Sequence, residues 1–201
     1  MLSKPSILES AANSTNNKSE LPKSSEVVEA LLKHEKLARK EKVAHSLSDL
    51  VGCWNLRFVT GTKKSRQKIS QSLPASVTLG AGKYIPSLIK IQITYEQIDS
   101  DNSGRVKNSV KFAFLDLSLT GPVKFLAAKN ILAFDFTSMK IKILGWKIYD
   151  GYIKNGEVRD REFQANKINN QAFFSYFLIQ KDLIAARGKG GGLALWGKEV
   201  Q

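Results

Sequence analysis

Hydrophobic and polar positions follow a helical spacing near the start of the chain. Between Ser25 and Lys42 the apolar residues recur three or four positions apart, and charged residues fill the other positions. This spacing predicts an amphipathic helix over residues 25–46, capped by Ser24 or Ser25. Residues 1–24 are rich in Ser, Asn and Lys without apolar clustering, which predicts a disordered leader.

From residue 47 onward the apolar positions alternate with a period of two. Residues 89–96 show this most clearly, and the parity changes near residues 114–115, where we expect a β-bulge or a strand bend. Residues 151–170 are polar and predict a turn region. No convincing helix follows residue 50, and short strands are spaced 8–12 residues apart. The pattern predicts an all-β domain over residues 47–201, and closure into a barrel would remove its exposed edges.

The segment DLIAARGKGGGLALW, residues 182–196, contains four glycines around one lysine. A P-loop needs Ser or Thr after its lysine and a helix after that, but Lys189 precedes Gly190 and a short apolar run follows. A dinucleotide fingerprint would need a glycine at position 193, which is leucine. These features disfavour a nucleotide site and predict glycines that let the backbone turn tightly before a last strand.

The two ends of the β region suggest how a barrel would close. Gly52 and Trp54 open the first strand, and Arg187 and Gly188 end a late one. This order resembles lipocalin-like antiparallel β-barrels, in which a tryptophan plugs the floor and an arginine lies across its ring. The resemblance predicts a cation–π contact between Trp54 and Arg187, worth about 0.5 to 2 kcal/mol.

A narrower resemblance rests on three segments: Gly52-Cys53-Trp54-Asn55-Leu56, Leu144-Gly145-Trp146, and Tyr176-Phe177 through Arg187-Gly188. Over roughly residues 47–197 the chain resembles the plastid lipid-associated protein family, the plastid fibrillins. The resemblance implies association with thylakoid membranes or plastid lipid droplets and binding of carotenoids, quinones or other isoprenoid lipids. The glycines 190–192 and the lack of a good transit signature depart from that family. The second departure favours a cyanobacterial protein or a mature plastid chain.

Charge is concentrated in the β domain. The chain has a net charge of +13, and residues 51–201 hold 23 Lys or Arg against 11 Asp or Glu, a difference of +12. A basic domain favours anionic partners. We expect a membrane or partner contact at Lys63, Lys64, Arg66 and Lys68, and a solvated loop is the alternative. Residues 61–72 contain no aromatic residue, which disfavours nucleic acid.

Catalytic chemistry finds little support. Both histidines, His34 and His45, precede the predicted barrel, and no His, Cys, Asp and Glu cluster has metal-ligand spacing. We therefore expect no enzymatic activity, no catalytic residues and no metal site.

Binding of an apolar molecule is the leading functional hypothesis. An eight-stranded barrel can be filled by side chains or hold one small ligand. The inward-phase residues are together candidates to line such a ligand, although for each one taken singly a core role is favoured: Ile91, Ile93, Tyr95, Phe112, Phe114, Leu132, Phe134, Phe136 and Trp146. The sequence thus predicts a non-enzymatic binder of an isoprenoid or lipid, peripheral to a thylakoid membrane. The alternative is an assembly or docking factor for a photosynthetic complex, with a filled barrel as its scaffold and the helix 25–44 as a contact.

Overall fold

The structure, a computed structural model, describes residues 5–13, 21–61, 82–98 and 102–199. Strands dominate these residues. The first five are β1 Gly52–Val59, β2 Lys83–Tyr84, β3 Ile89–Gln97, β4 Ser103–Phe112 and β5 Leu115–Leu126. The next six are β6 Ile131–Phe134, β7 Ser138–Ile143, β8 Trp146–Tyr152, β9 Ala172–Ile179, β10 Leu183–Gly188 and β11 Leu193–Lys198.

Three α-helices accompany the strands in the described part of the chain: α1 Ile7–Asn13, α2 Ser24–Glu41 and α3 Gly156–Glu162. Short 3-10 turns lie at Leu47–Leu50, Ala127–Lys129 and Ile168–Asn170. A search of the described helices for one long and apolar enough to cross a membrane finds none.

Eight strands close into an antiparallel barrel. The hydrogen-bonded ring runs β1, β3, β4, β5, β6, β9, β10, β11 and returns to β1. β11 supplies the closing partner of β1, with Trp54 opposite Lys198 and Val59 opposite Ala194. The predicted all-β barrel is therefore confirmed, and closure pairs strand edges that would otherwise be exposed.

β5 pairs with two different strands along its length. Its second half, residues 123–126, pairs with β6 and belongs to the barrel wall. Its first half, residues 115–120, pairs with β7, and β7 pairs with β8. The β7–β8 hairpin consequently extends the sheet outside the ring of eight strands.

The parity changes in the sequence mark hairpin turns, so the predicted bulge near residues 114–115 is wrong. Ala113 and Phe114 connect β4 to β5, and Leu144 and Gly145 connect β7 to β8. Both turns contain left-handed residues, with φ of 49° at Ala113, 51° at Leu144 and 83° at Gly145. A two-residue turn reverses the chain, and the new strand starts its own alternation.

The outer side of the barrel carries its own apolar cluster beneath α1 and α2. Val27 and Leu31 of α2 are fully buried there, as are Phe58 of β1 and Leu195 of β11. The helix predicted over residues 25–46 is present but ends at Glu41, where Lys42 takes a left-handed φ of 50°.

The prediction of a disordered leader does not hold at residues 7–13. These residues form α1, and its Leu8, Ala11 and Ala12 are buried in the same outer cluster. The chain packs α1 against α2 and β11. The three apolar side chains lie at i and i+3/i+4, so a single short helical turn suffices to bury them together.

Residues 151–170 contain the helix α3, which the sequence analysis missed. Asp160 accepts hydrogen bonds from Arg105 at 2.8 Å and from Thr137 at 2.6 Å. Asp135 accepts two from Arg159, at 2.8 and 2.7 Å. These polar contacts, rather than an apolar stripe, attach α3 to the outside of the barrel, which is why hydrophobic periodicity did not reveal it.

Candidate ligand-binding face

The nine residues predicted to line a ligand separate into three groups. Ile93, Tyr95, Leu132 and Phe134 are buried in the barrel interior, and Phe136 packs partly against them.

Ile91 is half-buried and lies outside that cluster. Phe112, Phe114 and Trp146 are 49%, 62% and 78% exposed, so their predicted place inside the barrel is wrong. Phe112 and Trp146 lie at strand ends and Phe114 in a turn, beyond the closed ring, where none of the described strands lies opposite them.

Aromatic side chains fill much of the described barrel interior. Phe174 stacks on Phe134 with ring centroids 5.0 Å apart and meets Trp196 edge to face at 5.5 Å. The hydroxyls of Tyr95 and Tyr176 form a buried hydrogen bond of 2.7 Å. Burial raises the pKa of both tyrosines well above the ordinary value. The pair stays neutral and satisfies two polar groups inside an apolar core.

One face of the extended sheet is apolar and only half-covered. Strand register places Val110 opposite Leu117, and Leu117 opposite Ile141. Apolar residues of the same parity extend this row of side chains across the five strands β3, β4, β5, β7 and β8. We call this surface the apolar face; its residues are Ile89, Ile91, Val110, Phe112, Leu115, Leu117, Leu119, Met139, Ile141, Ile143, Trp146 and Tyr149.

The apolar face is continuous with the barrel interior. Leu115, Leu117 and Leu119 have the same parity on β5 as Val123 and Phe125, which are buried inside the barrel. Phe136 lies in the link between β6 and β7, with its ring centroid 5.3 Å from that of Phe134. An apolar molecule lying on the face could therefore contact the aromatic interior at one end.

The opposite side of the same strands is polar. Lys111 pairs with Asp116 at 3.6 Å, and Lys140 pairs with Asp150 at 3.2 Å. A shallow groove of about 440 Å³ lies where Lys111, Asp116 and Lys142 meet the two hairpin turns. The extended sheet is thus amphipathic, with an apolar side and a charged side.

Three of the four predicted closure residues have the expected place. Gly52 opens β1 with a φ of 126°, a conformation that favours glycine. Trp54 is fully buried at the barrel floor, and its Nε1 donates to the Leu50 carbonyl at 2.8 Å. Gly188 ends β10 and donates to the Gly192 carbonyl at 2.9 Å.

The predicted contact of Arg187 with Trp54 is wrong. Arg187 shares its parity on β10 with Leu183 and Ala185, which face the outer cluster. Its guanidinium pairs there with Glu35 of α2. The ammonium group of Lys198 lies over the Trp54 ring instead, 5.1 Å from its centroid.

The glycine-rich segment forms the turn between β10 and β11, as predicted. Gly191 has a φ of 84°, and Gly191 N–H donates to Gly188 O at 2.8 Å. Lys189 donates to the carbonyls of Asn169 and Gln171 at 2.7 and 3.0 Å. The lysine therefore fixes the preceding 3-10 turn to this hairpin.

The predicted basic contact at Lys63, Lys64, Arg66 and Lys68 lies outside the described residues, so it stays a prediction. Leu117, Leu119 and Ile141 were not among the predicted site residues. Their period-two spacing was visible, but only strand register shows that they share one uncovered face.

Comparisons with known proteins add little beyond the fold. No family model and no curated protein matches the chain. A redesigned β-barrel matches with a TM-score of 0.35 and 9% identity, covering 79% of this chain and 99% of its own.

A protein of unknown function from the DUF3598 family of Nostoc punctiforme matches with a TM-score of 0.30 and 15% identity. It covers 78% of this chain, which spans half of that protein's length. At these values neither structure indicates what the chain binds.

Proposed function

We propose that the protein is a non-enzymatic carrier that binds one elongated apolar molecule, an isoprenoid or another lipid, on its apolar face. The observation that carries this proposal is the half-covered row of aliphatic side chains joined to the aromatic interior. A large apolar surface left in contact with water is rare on a monomeric protein and marks a binding surface.

The shape of the apolar face suits a long hydrocarbon better than a compact one. The face crosses five strands, and neighbouring strands lie about 4.8 Å apart, so its width is on the order of 20 Å. A polyisoprenoid tail of a quinone or the polyene of a carotenoid could lie across this whole width. The face is lined by aliphatic side chains, with aromatic residues at its ends. Burial of apolar surface alone would favour binding of such a chain.

The cellular location of the protein is part of the same proposal. The resemblance to plastid lipid-associated proteins supports a peripheral place at a photosynthetic membrane and names carotenoids and quinones as candidate ligands. The Arg187 element of that resemblance has a different role here, so the support comes from Gly52, Trp54 and the barrel order alone.

The test is an extraction of bound molecules. The protein is purified from a host that makes carotenoids and quinones and then extracted with organic solvent. The extract is read by absorbance and mass spectrometry. We expect a stoichiometric isoprenoid or lipid. An empty extract from folded protein would overturn the proposal.

A matched pair of variants locates the site. Leu117→Ser with Ile141→Ser makes the apolar face polar, and we expect it to lose the bound molecule. Asp116→Ser with Lys142→Ser changes the neighbouring positions on the same two strands but on the charged side, and it should retain the molecule. Equal retention by both double variants would place the ligand elsewhere.

A second candidate function, docking of a protein complex, is favoured by the free side of α2. Val27 and Leu31 face the barrel, whereas Leu32 and Leu37 are exposed. Leu32→Ser with Leu37→Ser would abolish capture of a photosynthetic complex without loss of the extracted molecule. These substitutions are preferable to removal of residues 1–46, because α1 and α2 cover the outer cluster.

A further inference from the structure

Two hairpin turns and the turn that precedes β3 carry exposed apolar side chains at one end of the sheet. Leu88 precedes β3, Phe114 lies between β4 and β5, and Leu144 lies between β7 and β8. Their exposures are 80%, 62% and 74%. Register places them side by side, because Ile89 pairs with Phe112 and Leu115 pairs with Ile143.

The turns are also linked through their backbones. Leu144 N–H donates to the Phe114 carbonyl at 2.9 Å, which holds two of the tips together. Trp146, 78% exposed, follows directly at the start of β8. The residues at the ends of these turns thus form one apolar edge of the sheet. We call this edge the tip cluster; its residues are Leu88, Phe114, Leu144 and Trp146.

A leucine is unfavourable at position 144 for the turn itself. Left-handed turn positions favour Gly, Asn or Asp, but position 144 holds leucine at a φ of 51°. A bulky side chain in that conformation costs roughly 1 kcal/mol. The side chain is 74% exposed, so burial against the described residues offsets little of that cost, and a contact outside the chain would offset more.

The charges beside the tip cluster identify the chemistry of that contact. Residues 111–116 and 138–150 contain four lysines, Lys111, Lys140, Lys142 and Lys147, against two aspartates, Asp116 and Asp150. The excess is +2 over these two segments of a chain whose net charge is +13, and Lys111, Lys140 and Lys147 form ion pairs with the two aspartates. Exposed Trp, Phe and Leu flanked by lysine is the composition that enters the headgroup region of an anionic bilayer.

We propose that the tip cluster inserts into the interfacial layer of an anionic lipid membrane, with the flanking lysines on the headgroups. Each lysine near such a surface contributes about 1 kcal/mol, and the apolar tips add hydrophobic burial. This inference deepens the proposed carrier function, since it places one end of the apolar face at the bilayer. A ligand could then pass between face and membrane without crossing water.

The experiment is flotation with vesicles of phosphatidylcholine alone and of equal parts phosphatidylcholine and phosphatidylglycerol. We expect binding to the anionic vesicles that weakens as salt is raised. A triple variant, Phe114→Ser, Leu144→Asn and Trp146→Ser, should bind about 100-fold more weakly, since each lost apolar contact is worth more than a kcal/mol.

The matched control is Ile98→Ser. Ile98 is also 62% exposed, but it lies after β3 at the opposite end of these strands, and the variant should bind as the parent protein does. Failure of the parent protein to bind anionic vesicles would overturn the inference. So would unchanged binding by the triple variant, which would assign the contact to another part of the chain.

A spectroscopic measurement gives an independent reading. Of the three tryptophans, Trp54 and Trp196 are buried and Trp146 is exposed. Addition of anionic vesicles should shift Trp146 emission to the blue, and Trp146→Phe should abolish the shift. An unchanged emission in the presence of bound vesicles would contradict insertion. A double variant, Phe114→Ser with Leu144→Asn, leaves the apolar face intact and should still carry the extracted molecule. The Leu117 and Ile141 variant should still bind vesicles, so the two proposals can fail separately.

Discussion

Arg187 of β10 and Glu35 of α2 form a two-point ion pair, with Nε–Oε1 at 2.7 Å and Nη2–Oε2 at 2.5 Å. Arg187 also donates through Nη1 to the Gly191 carbonyl at 2.6 Å. One guanidinium therefore joins the helical layer, the barrel wall and the glycine turn. The fork geometry of arginine suits this role in a way that a lysine would not reproduce.

Loss of this pair should destabilise the fold. Glu35→Gln and Arg187→Met should each lower the free energy of unfolding by about 1 to 2 kcal/mol, because the carboxylate is largely covered but the pair remains partly screened. Urea unfolding of both single variants and the double variant measures the coupling. Additive effects of the two substitutions would contradict a direct interaction.

The same pair should make stability depend on acidity. The Arg187 hydrogen bonds hold the pKa of Glu35 below its ordinary value. The stabilisation is therefore complete above the unfolded-state pKa, about 4.3, and is lost as pH falls through the lower folded-state value. The difference in unfolding free energy between the parent protein and Glu35→Gln should shrink below about pH 4, which urea titrations at a series of pH values would measure. A difference that is constant with pH would contradict this origin.

The barrel floor offers a test of which cation contacts Trp54. Lys198→Met should remove a cation–π contact worth about 0.5 to 1 kcal/mol and alter the fluorescence of Trp54. Arg187→Met should leave that fluorescence unchanged, because Arg187 faces the outer cluster. Trp146→Phe as the background removes the exposed fluorophore from both measurements.

The buried tyrosine pair should show strong non-additivity. Tyr95→Phe leaves the Tyr176 hydroxyl without its partner and should cost about 1 to 3 kcal/mol. The double change to phenylalanine removes both polar groups and should cost less than the sum of the two single changes. Chemical unfolding of the three variants measures this. A simple sum would mean that water or another group replaces the missing partner.

Alkaline pH should act through the same pair. Burial raises the pKa of both hydroxyls, so the folded protein cannot ionise them where the unfolded chain can. Stability is full below about pH 10 and falls as pH rises further. Ultraviolet titration should show two of the five tyrosines ionising only on unfolding.

Leu144→Asn should stabilise the protein. Asparagine tolerates the left-handed conformation that leucine adopts at φ 51°, and the exposed leucine side chain buries little. We expect a gain of about 0.5 to 1 kcal/mol in unfolding free energy, read by thermal or urea unfolding. A loss of stability would mean that Leu144 contributes packing to the hairpin.

Period-two alternation revealed most of the strands because half-buried strands expose every second residue. It placed β3 almost to the residue, and it assigned Ile93, Tyr95 and Phe134 to the interior. It could not tell a bulge from a hairpin at residues 113–114, since both change the parity. That choice depends on which strands become neighbours.

The candidate site depended on long-range register, which one sequence does not contain. The alternation predicts that Phe112 and Trp146 point into the barrel. None of the described strands lies opposite them, because β5 pairs with β7 instead of β6 at that end. Arg187 was assigned by family order, but it shares the parity of Leu183 and Ala185, which the structure places in the outer cluster. In the sequence both parities of residues 183–186 are apolar, so the outward side could not be recognised there.

The seam between β1 and β11 also sets the order in which the fold can be completed during synthesis. β1 can pair with β3 early, but its other edge has no partner until residues 193–198 have left the ribosome. One edge of β10 likewise pairs only with these six residues among those described. A nascent chain must therefore keep the free edge of β1 from foreign partners for most of its translation, until β11 is available to close the barrel.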